Sequence, residues 1–164
     1  MVLLLPGIHF TLITQDIMIT LDFSGLQLKL KQENNVTLVY DPVRRRWVVL
    51  TPEEHVRQYI LQLFIQQLRY PVSLIAVEKK IMVGKMAKRY DIVVYDRQHM
   101  PWLLAECKQP EVPVSPQTLH QLLSYQQTVQ GRYWLITNGH QSMCADAADK
   151  ERVIWMDALP EYEL

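Results

Sequence analysis

The chain has 164 residues, and its 17 lysines and arginines balance 17 aspartates and glutamates, so the formal net charge is zero. This length predicts one compact domain with a hydrophobic core of its own. The neutral balance excludes a protein that is drawn to nucleic acid or to a membrane by its overall charge, and any DNA contact must come from local patches.

The ends and the cysteines of the sequence bear on its cellular setting. Cys107 and Cys144 are too few for a disulfide framework or a CxxC-type zinc site, which favours a reducing cytosol. The opening run MVLLLPGIHF has no basic region before it and is broken by Pro6 and Gly7, so it fits neither a signal peptide nor a membrane span. We interpret it as an edge strand or as residues upstream of a start at Met18.

The first predicted elements are two β-rich runs, TLVY and WVVL, separated by the turn-like DPVRRR. They predict a hairpin or a pair of edge strands. We therefore expect residues 1–47 to form a β-rich extension that packs on a core spanning residues 48–164.

The next predicted element is a helix that begins after Thr51. Threonine at the N-cap, Pro52 at the first helical position and Glu54 at the third satisfy the free amide groups of the first turn. The helix is predicted to run to about Arg69, because Tyr70-Pro71 ends it.

Further strands and a second helix complete the predicted fold. The second helix begins at Ser115-Pro116 and is predicted to close at Gly131, which takes the place of a C′ glycine. The predicted strands cover residues 73–83, 89–95, 102–108, 133–137 and, as a shorter segment, 153–156. This order predicts an α/β fold with a mixed central β-sheet flanked by α-helices.

Two of these strands carry acidic residues that are predicted to meet. RYDIVVYD and PWLLAECK flank a short polar turn, which predicts an antiparallel hairpin. A turn centred between Gln98 and His99 places Asp91 opposite Glu106. Facing carboxylates repel each other unless a cation lies between them, and Mg²⁺ binds one or two protein carboxylates together with waters and phosphate.

The residues after Glu106 extend this predicted site. Lys108 lies two positions further along the strand and therefore on the same face as Glu106. Cys107 points to the other face and is interpreted as a small buried hydrophobe, although its backbone carbonyl is a candidate metal ligand. The alternative is a salt-bridge cluster in which Lys108 only neutralises two surface carboxylates.

Glu53 is predicted to lie at the centre of the apolar stripe of the first helix, which Val56, Ile60 and Phe64 define. A carboxylate that points inward is costly unless it is paired or binds a metal, so we expect a functional role. The alternative is a surface ion pair with Arg57, four residues further along the helix.

Several other residues are candidates for DNA contact. In the second helix, Gln121 and Tyr125 lie one turn apart and both can reach a phosphate or a base, the alternative being a solvated helix face. Basic residues before the acidic strand suggest a rim that faces DNA, the alternative being solvated turns. They are Lys79, Lys80, Lys85, Lys88 and Arg89, of which the last two lie nearest to Asp91.

Taken together, Asp91, then ECK at residues 106–108, then QLLSY at residues 121–125 resemble the D…ExK…QxxxY pattern of RecB-like nucleases in the PD-(D/E)xK superfamily. Over residues 48–139 the chain resembles the N-terminal nuclease domain of type I restriction enzyme R subunits. The resemblance implies a restriction-endonuclease-like core and hydrolysis of DNA phosphodiesters. It implies that Asp91 and Glu106 hold Mg²⁺, for which Mn²⁺ substitutes. The roles that it implies for other side chains are orientation of the attacking water by Lys108, an accessory carboxylate at Glu53, and positioning of DNA by Gln121 and Tyr125.

The sequence departs from that pattern in two places. Tyr90 stands where the superfamily has proline, which changes no ligand. Gly84-Lys85 lacks the other residues of a Walker A loop, so we expect no DNA translocation by this chain alone. The expected partners are DNA and helicase, translocase or specificity subunits in trans. The expected location is the cytoplasm, without a membrane, and both a monomer and an oligomer are compatible with the sequence. The alternative function is a catalytically inactive module that binds nucleic acid or assembles with a restriction or repair complex.

Overall fold

The structure is a computed structural model that describes residues 4–5, 8–9, 17–123, 129–149 and 152–162. It is a mixed α/β protein with a 16-residue helical segment and a six-stranded mixed sheet. The strands are β1 (Leu4–Leu5), β2 (Ile8–His9), β3 (Leu30–Glu33), β4 (Val36–Asp41), β5 (Arg46–Val49), β6 (Ile75–Val83), β7 (Met86–Tyr95), β8 (Pro101–Cys107), β9 (Tyr133–Thr137), β10 (Ser142–Asp146) and β11 (Ile154–Met156). The helices are α1 (Pro52–Gln62), which a π-helical turn (Leu63–Gln67) continues, a 3-10 turn (Val72–Leu74) and α2 (Pro116–Leu123).

The large sheet has the strand order β11-β10-β9-β8-β7-β6. Neighbouring strands are antiparallel except β8 and β9, which are parallel. Parallel neighbours need a crossover, and the connection from β8 to β9 contains α2. The predicted strand at residues 133–137 is confirmed, whereas β10 was not predicted, because SMCAD lacks the β-branched residues that usually mark a strand.

Buried side chains cover both faces of this sheet. On one face, Val56 and Ile60 of α1 and Phe64 of the π-helical turn pack with sheet residues such as Ile92 and Leu135. The cluster on the other face takes Leu122 from α2 and contains Val93, Leu104 and Trp134. The predicted mixed sheet is confirmed, while in the part of the chain that the structure describes it is flanked by the helical segment 52–67 and by α2.

The predicted start of α1 is confirmed. The Thr51 hydroxyl accepts a hydrogen bond from the Glu54 N–H at 3.1 Å, and Pro52 is the first helical residue. The helical segment ends in a π-helical turn, and Arg69, with a φ of 58°, leads into Tyr70. No helix among the described segments has the length and apolar character needed to cross a membrane.

Two smaller sheets lie in the N-terminal part of the chain. The predicted hairpin is confirmed as β4 and β5, which pair antiparallel from Leu38–Val49 to Asp41–Arg46. β3 adds a third strand beside β4. β1 and β2 pair with each other in a sheet of two strands.

The predicted role of Gly131 as a C′ glycine is wrong. The left-handed residue after the helical Val129 is Gln130, with a φ of 31°. Gly131 is required for another reason, since a Cβ atom at this position would lie 1.9 Å from the Leu104 Cδ1 atom. Leu104 is fully buried, so it has no room to move away.

Gly131→Ala is therefore expected to lower the free energy of unfolding by about 1–3 kcal/mol through overpacking. Urea unfolding of the variant and the wild type measures this difference. Gly25→Ala is the control, because its Cβ atom meets nothing within 4 Å and the cost comes only from a φ of 76°. Equal losses in the two variants would contradict the packing explanation.

Candidate functional site

The candidate site lies where β7 and β8 pair in the centre of the large sheet. Ile92 pairs with Ala105, Val93 with Leu104 and Val94 with Leu103, which is the register that the sequence predicted. Asp91 precedes Ile92 in β7 and Glu106 follows Ala105 in β8, so both residues are neighbours of the last regular pair. Asp91 and Glu106 do not form a pair with each other, because the backbone departs from regular pairing at Asp91, whereas Glu106 pairs with Ile136 of β9.

That departure changes the direction of the Asp91 side chain. Tyr90 and Ile92, two residues apart, belong to core clusters on opposite faces of the sheet, so the alternation of side chains is interrupted between them. On the neighbouring strand β6, Glu78 lies opposite Asp91. Glu78 has a φ of 53° and is also missing from the β6–β7 register. Irregularities of this kind redirect side chains in many active sites.

The Asp91 carboxylate is held at both oxygens. Oδ2 accepts a hydrogen bond from the Cys107 N–H at 2.7 Å, and Oδ1 accepts one from Arg57 Nη2 at 2.8 Å. The side chain is 15% exposed, so it remains open to solvent at one side. Its orientation is therefore fixed jointly by β8 and α1.

Glu106 and Lys108 form an ion pair on β8 and the residue after it, with Lys108 Nζ 2.8 Å from Glu106 Oε1. Burial and the charge of Asp91 raise the pKa of Glu106 above its usual range, and Lys108 only partly offsets this. Burial lowers the pKa of Lys108, but the hydrogen bond and charges of Glu106, Asp91 and Glu53 outweigh it and the net shift is upward. The Lys108 ammonium is thus influenced by the charges of all three carboxylates.

Cys107 is buried, as expected from the sequence. Burial and the charge of Asp91 raise the pKa of its thiol well above the usual value, so the thiol stays neutral. Its N–H group orients Asp91, and its carbonyl as a metal ligand stays a prediction.

The expectation that Glu53 points into the core is wrong. Its side chain is 47% exposed and forms the ion pair with Arg57, at 3.0 Å, that was the alternative interpretation. Glu54 is the buried carboxylate, because the turn between β4 and β5 covers its side of α1 and brings Arg44 within 2.6 Å. Its role is therefore larger than that of a helix-capping residue, and the role of Glu53 as an accessory carboxylate stays a prediction.

Two arginines, the buried Arg57 and the partly buried Arg44, join the site to the rest of the protein. Sequence reasoning named Arg57 only as a surface partner of Glu53 and gave Arg44 no role in the site. Arg44 contacts Asp41 at 2.7 Å and Glu78 at 2.8 Å in addition to Glu54. Arg57 donates to Glu54 as well as to Glu53 and Asp91. The spacing of acidic and basic residues three and four positions apart was the only local signal for these contacts.

Gln58 completes this network from within α1. It is fully buried, and its side-chain amide donates to Asp41 and Glu54, both at 2.8 Å. Asp41 itself is fully buried in β4. The carboxylates of Asp41 and Glu54 thus share two hydrogen-bond donors, the side chains of Gln58 and Arg44.

The residues predicted to contact DNA have different surroundings. The Lys88 ammonium lies 5.2 Å from the centroid of the Tyr90 ring. Burial lowers the pKa of Lys88, and the charges of Glu106 and Lys108 also act on this ammonium group. Arg89 is exposed and lies 3.6 Å from Glu78. Gln121 is exposed on α2, and Tyr125 lies outside the described residues.

The donors suit a hard divalent cation. Among residues 17–123, 129–149 and 152–162, no group of three or more His, Cys, Asp and Glu side chains has an arrangement that could hold a metal. Mg²⁺, however, needs only one or two protein carboxylates, because waters and phosphate supply its other ligands. Asp91 and Glu106 are two partly exposed carboxylates that act on each other, and their oxygens keep lone pairs beyond the hydrogen bonds described.

Glu106→Gln is expected to stabilise the metal-free protein at neutral pH. Because the pKa of Glu106 is higher in the folded than in the unfolded state, its ionisation destabilises the fold as the pH rises through that range. The gain in melting temperature should therefore be largest at neutral pH and vanish below the usual pKa of glutamate. Thermal unfolding of both proteins in EDTA over a pH series measures it.

Glu33→Gln is the matched control, because Glu33 is exposed and its hydrogen bond to Lys31 lowers its pKa. This control should show no gain at neutral pH. A Glu106→Gln protein that is less stable than the wild type at neutral pH would contradict the account of the charge at this position.

Comparison with models of known protein families gives a match over most of the chain. Residues 52–160 match the family model described as Type I restriction enzyme R protein N terminus (HSDR_N). The matched range begins at α1 and contains Arg57, Asp91, Glu106 and Lys108, whereas Arg44 precedes it. No curated protein matches the chain.

Proposed function

Since the chain belongs to the family of type I restriction enzyme R protein N-terminal domains, we propose that it is a Mg²⁺-dependent deoxyribonuclease domain that hydrolyses DNA phosphodiesters. The observation that supports this proposal is the cluster of Asp91, Glu106 and Lys108 at the β7–β8 pair. Asp91 accepts a hydrogen bond from the N–H of Cys107, which lies between Glu106 and Lys108, and Lys108 pairs with Glu106 at 2.8 Å. The six-stranded mixed sheet is compatible with a restriction-endonuclease-like core.

In this proposal Asp91 and Glu106 hold Mg²⁺, with Mn²⁺ as a substitute and the Cys107 carbonyl as a further ligand. When bound, the cation supplies the charge that activates water and stabilises the phosphate in the transition state. Lys108 keeps its proton at neutral pH because its pKa is raised. It therefore orients and polarises the attacking water through its N–H donors and its charge, and it does not act as a general base.

Arg57 has a positioning role in the proposal. Together with the Cys107 N–H it fixes the Asp91 carboxylate, and Arg57 is itself buried among three carboxylates. A ligand that is already oriented loses less entropy when a cation binds. Glu53, exposed beside Arg57, is proposed as the accessory carboxylate.

DNA is proposed to lie along the edge of the site that carries Lys88 and Arg89. Lys88 acts electrostatically on Glu106, so a phosphate beside the carboxylates would also be close to its charge. Gln121 and Tyr125 are proposed to contact the DNA backbone. Helicase, translocase or specificity subunits in the cytoplasm are proposed to select the DNA and supply its movement.

The second candidate function is a catalytically inactive module for nucleic-acid binding or for assembly with a restriction or repair complex. The observation that favours it is the engagement of both Asp91 oxygens in hydrogen bonds to groups of the protein. A carboxylate with both oxygens hydrogen-bonded in this way can stabilise the fold without binding a metal.

The direct test is incubation of the purified protein with linear, circular and single-stranded DNA in Mg²⁺, in Mn²⁺ and in EDTA. Cleavage is expected with either cation and not in EDTA. Asp91→Asn, Glu106→Gln and Lys108→Ala should each reduce the rate about a hundredfold or more, because each removes a group that acts on the transition state. Glu161→Gln, at an exposed position outside the site, is the matched control and should cleave like the wild type.

Calorimetry with Mn²⁺ separates the two candidate functions. Binding that Glu106→Gln abolishes supports a functional metal site. Cleavage that survives Asp91→Asn would show that these residues are not the active site. DNA binding without Mn²⁺ binding or cleavage would favour the inactive module.

A further inference from the structure

A second surface with unusual chemistry lies on the three-stranded sheet β3-β4-β5. Residues paired across neighbouring strands share a face of the sheet. The pairs Lys31–Leu38, Leu38–Val49 and Tyr40–Trp47 therefore lie on one face. The face, called the outer face below, comprises Lys29, Lys31, Glu33, Val36, Leu38, Tyr40, Trp47 and Val49.

The outer face points away from the core. Val39 and Asp41, which alternate with its residues along β4, are fully buried on the opposite side. None of the eight residues of the outer face is buried. Val36 and Val49 are 40% and 54% exposed.

Its composition is unusual for a solvent-exposed face. Antiparallel sheets normally present polar side chains to water on the side opposite the core. Here β4 and β5 present only apolar and aromatic side chains on the outer face, and charged residues come from the β3 side. Contiguous exposed apolar surface of this kind commonly marks a binding site.

The aromatic residues of the outer face are combined with positive charge. The rings of Tyr40 and Trp47 contact each other edge to face, with centroids 5.5 Å apart. The Lys29 ammonium lies 5.2 Å from the Tyr40 centroid and 5.7 Å from that of Trp47, and the Lys31 ammonium lies 4.8 Å from Trp47. Cation–π contacts thus hold both ammonium groups beside the rings.

The local charge is positive although the chain is neutral. Glu33 pairs with Lys31 at 2.7 Å and offsets one of the two lysines. Arg45 is exposed in the turn between β4 and β5, next to the Tyr40–Trp47 end of the face. The remaining positive charge therefore lies at the aromatic end.

We propose that the outer face binds single-stranded nucleic acid, with bases against Tyr40 and Trp47 and phosphates at Lys29, Lys31 and Arg45. Each nucleotide of a single strand offers a flat base and a phosphate, which matches a surface of rings flanked by cations. A duplex hides its base faces in the stack and offers only phosphates. This surface is separate from the proposed active site and does not depend on cleavage.

The outer face is nevertheless connected to the candidate site through a series of ion pairs. Tyr40 and Asp41 are consecutive residues of β4, one on the outer face and one buried. Asp41 contacts Arg44, which contacts Glu54 at the start of α1. The sheet that carries the outer face is therefore connected to Asp91 through the ion pairs of Arg44 and Arg57.

The test is fluorescence anisotropy of a labelled oligo-dT strand with the full-length chain in EDTA, so that no cleavage interferes. The wild type should bind, and binding should weaken as the salt concentration rises. Trp47→Ala is expected to lower the affinity at least about fivefold, because base–aromatic stacking is lost. Lys29→Glu combined with Lys31→Glu should also make the plot of log K against log salt shallower by about 1.4, since two phosphate contacts are removed.

Arg97→Glu combined with Arg152→Glu is the matched control, because it reverses the same number of charges at exposed positions outside the face. It should bind oligo-dT like the wild type. Circular dichroism checks that every variant is folded, and the lysine pair tests the proposal even where Trp47→Ala is destabilised.

Several results would overturn the proposal. They are a wild type that does not bind oligo-dT, a control that loses as much affinity as the lysine pair, and equally tight binding of a duplex. A concentration-dependent self-association that Trp47→Ala abolishes, without an effect on oligo-dT, would make the face a protein interface instead. Asp91→Asn separates the two proposals, because it should reduce the cleavage rate about a hundredfold or more and leave oligo-dT binding in EDTA unchanged.

Discussion

The candidate site depends on the contact of two guanidinium groups, one buried and one partly buried, with a set of carboxylates. The side chains of Arg57 and Arg44 are 5% and 13% exposed, and between them they contact acidic residues of β4, α1, β6 and β7. Buried carboxylates without such partners would be strongly destabilising. Arginine suits this position because its planar group offers five donors in fixed directions and keeps its charge.

The same contacts join two parts of the chain. The family match begins at residue 52, whereas Asp41 and Arg44 come from the preceding β-hairpin. Arg44 links that hairpin to Glu54 and Glu78, and Arg57 carries the connection on to Asp91. The N-terminal sheet is thus part of the structure that orients the candidate site, and it presents a second, aromatic and basic surface on its outer side.

Local patterns were sufficient for much of the fold. Capping residues located the start of α1, and a short polar turn predicted the β7–β8 register, because both depend on neighbours in sequence. Contacts between distant segments were not predictable in this way. Glu54 is buried because a hairpin covers it, Asp91 is redirected where β6 and β7 lose regular pairing, and Gly131 is needed because Leu104 lies against it. The position of Lys108 beside Glu106 followed from strand periodicity alone, whereas the role of Arg57 required the packing of α1 on the sheet.

The most direct test of this account is a double-mutant cycle between Arg57 and Asp91. Urea unfolding of the wild type, Arg57→Gln, Asp91→Asn and the double variant gives the coupling free energy of the two side chains. The account predicts a favourable coupling of about 1–3 kcal/mol, with the double variant less destabilised than the sum of the single changes. Strictly additive losses would show that Arg57 does not hold Asp91 in place, and would contradict the central role of the arginine network.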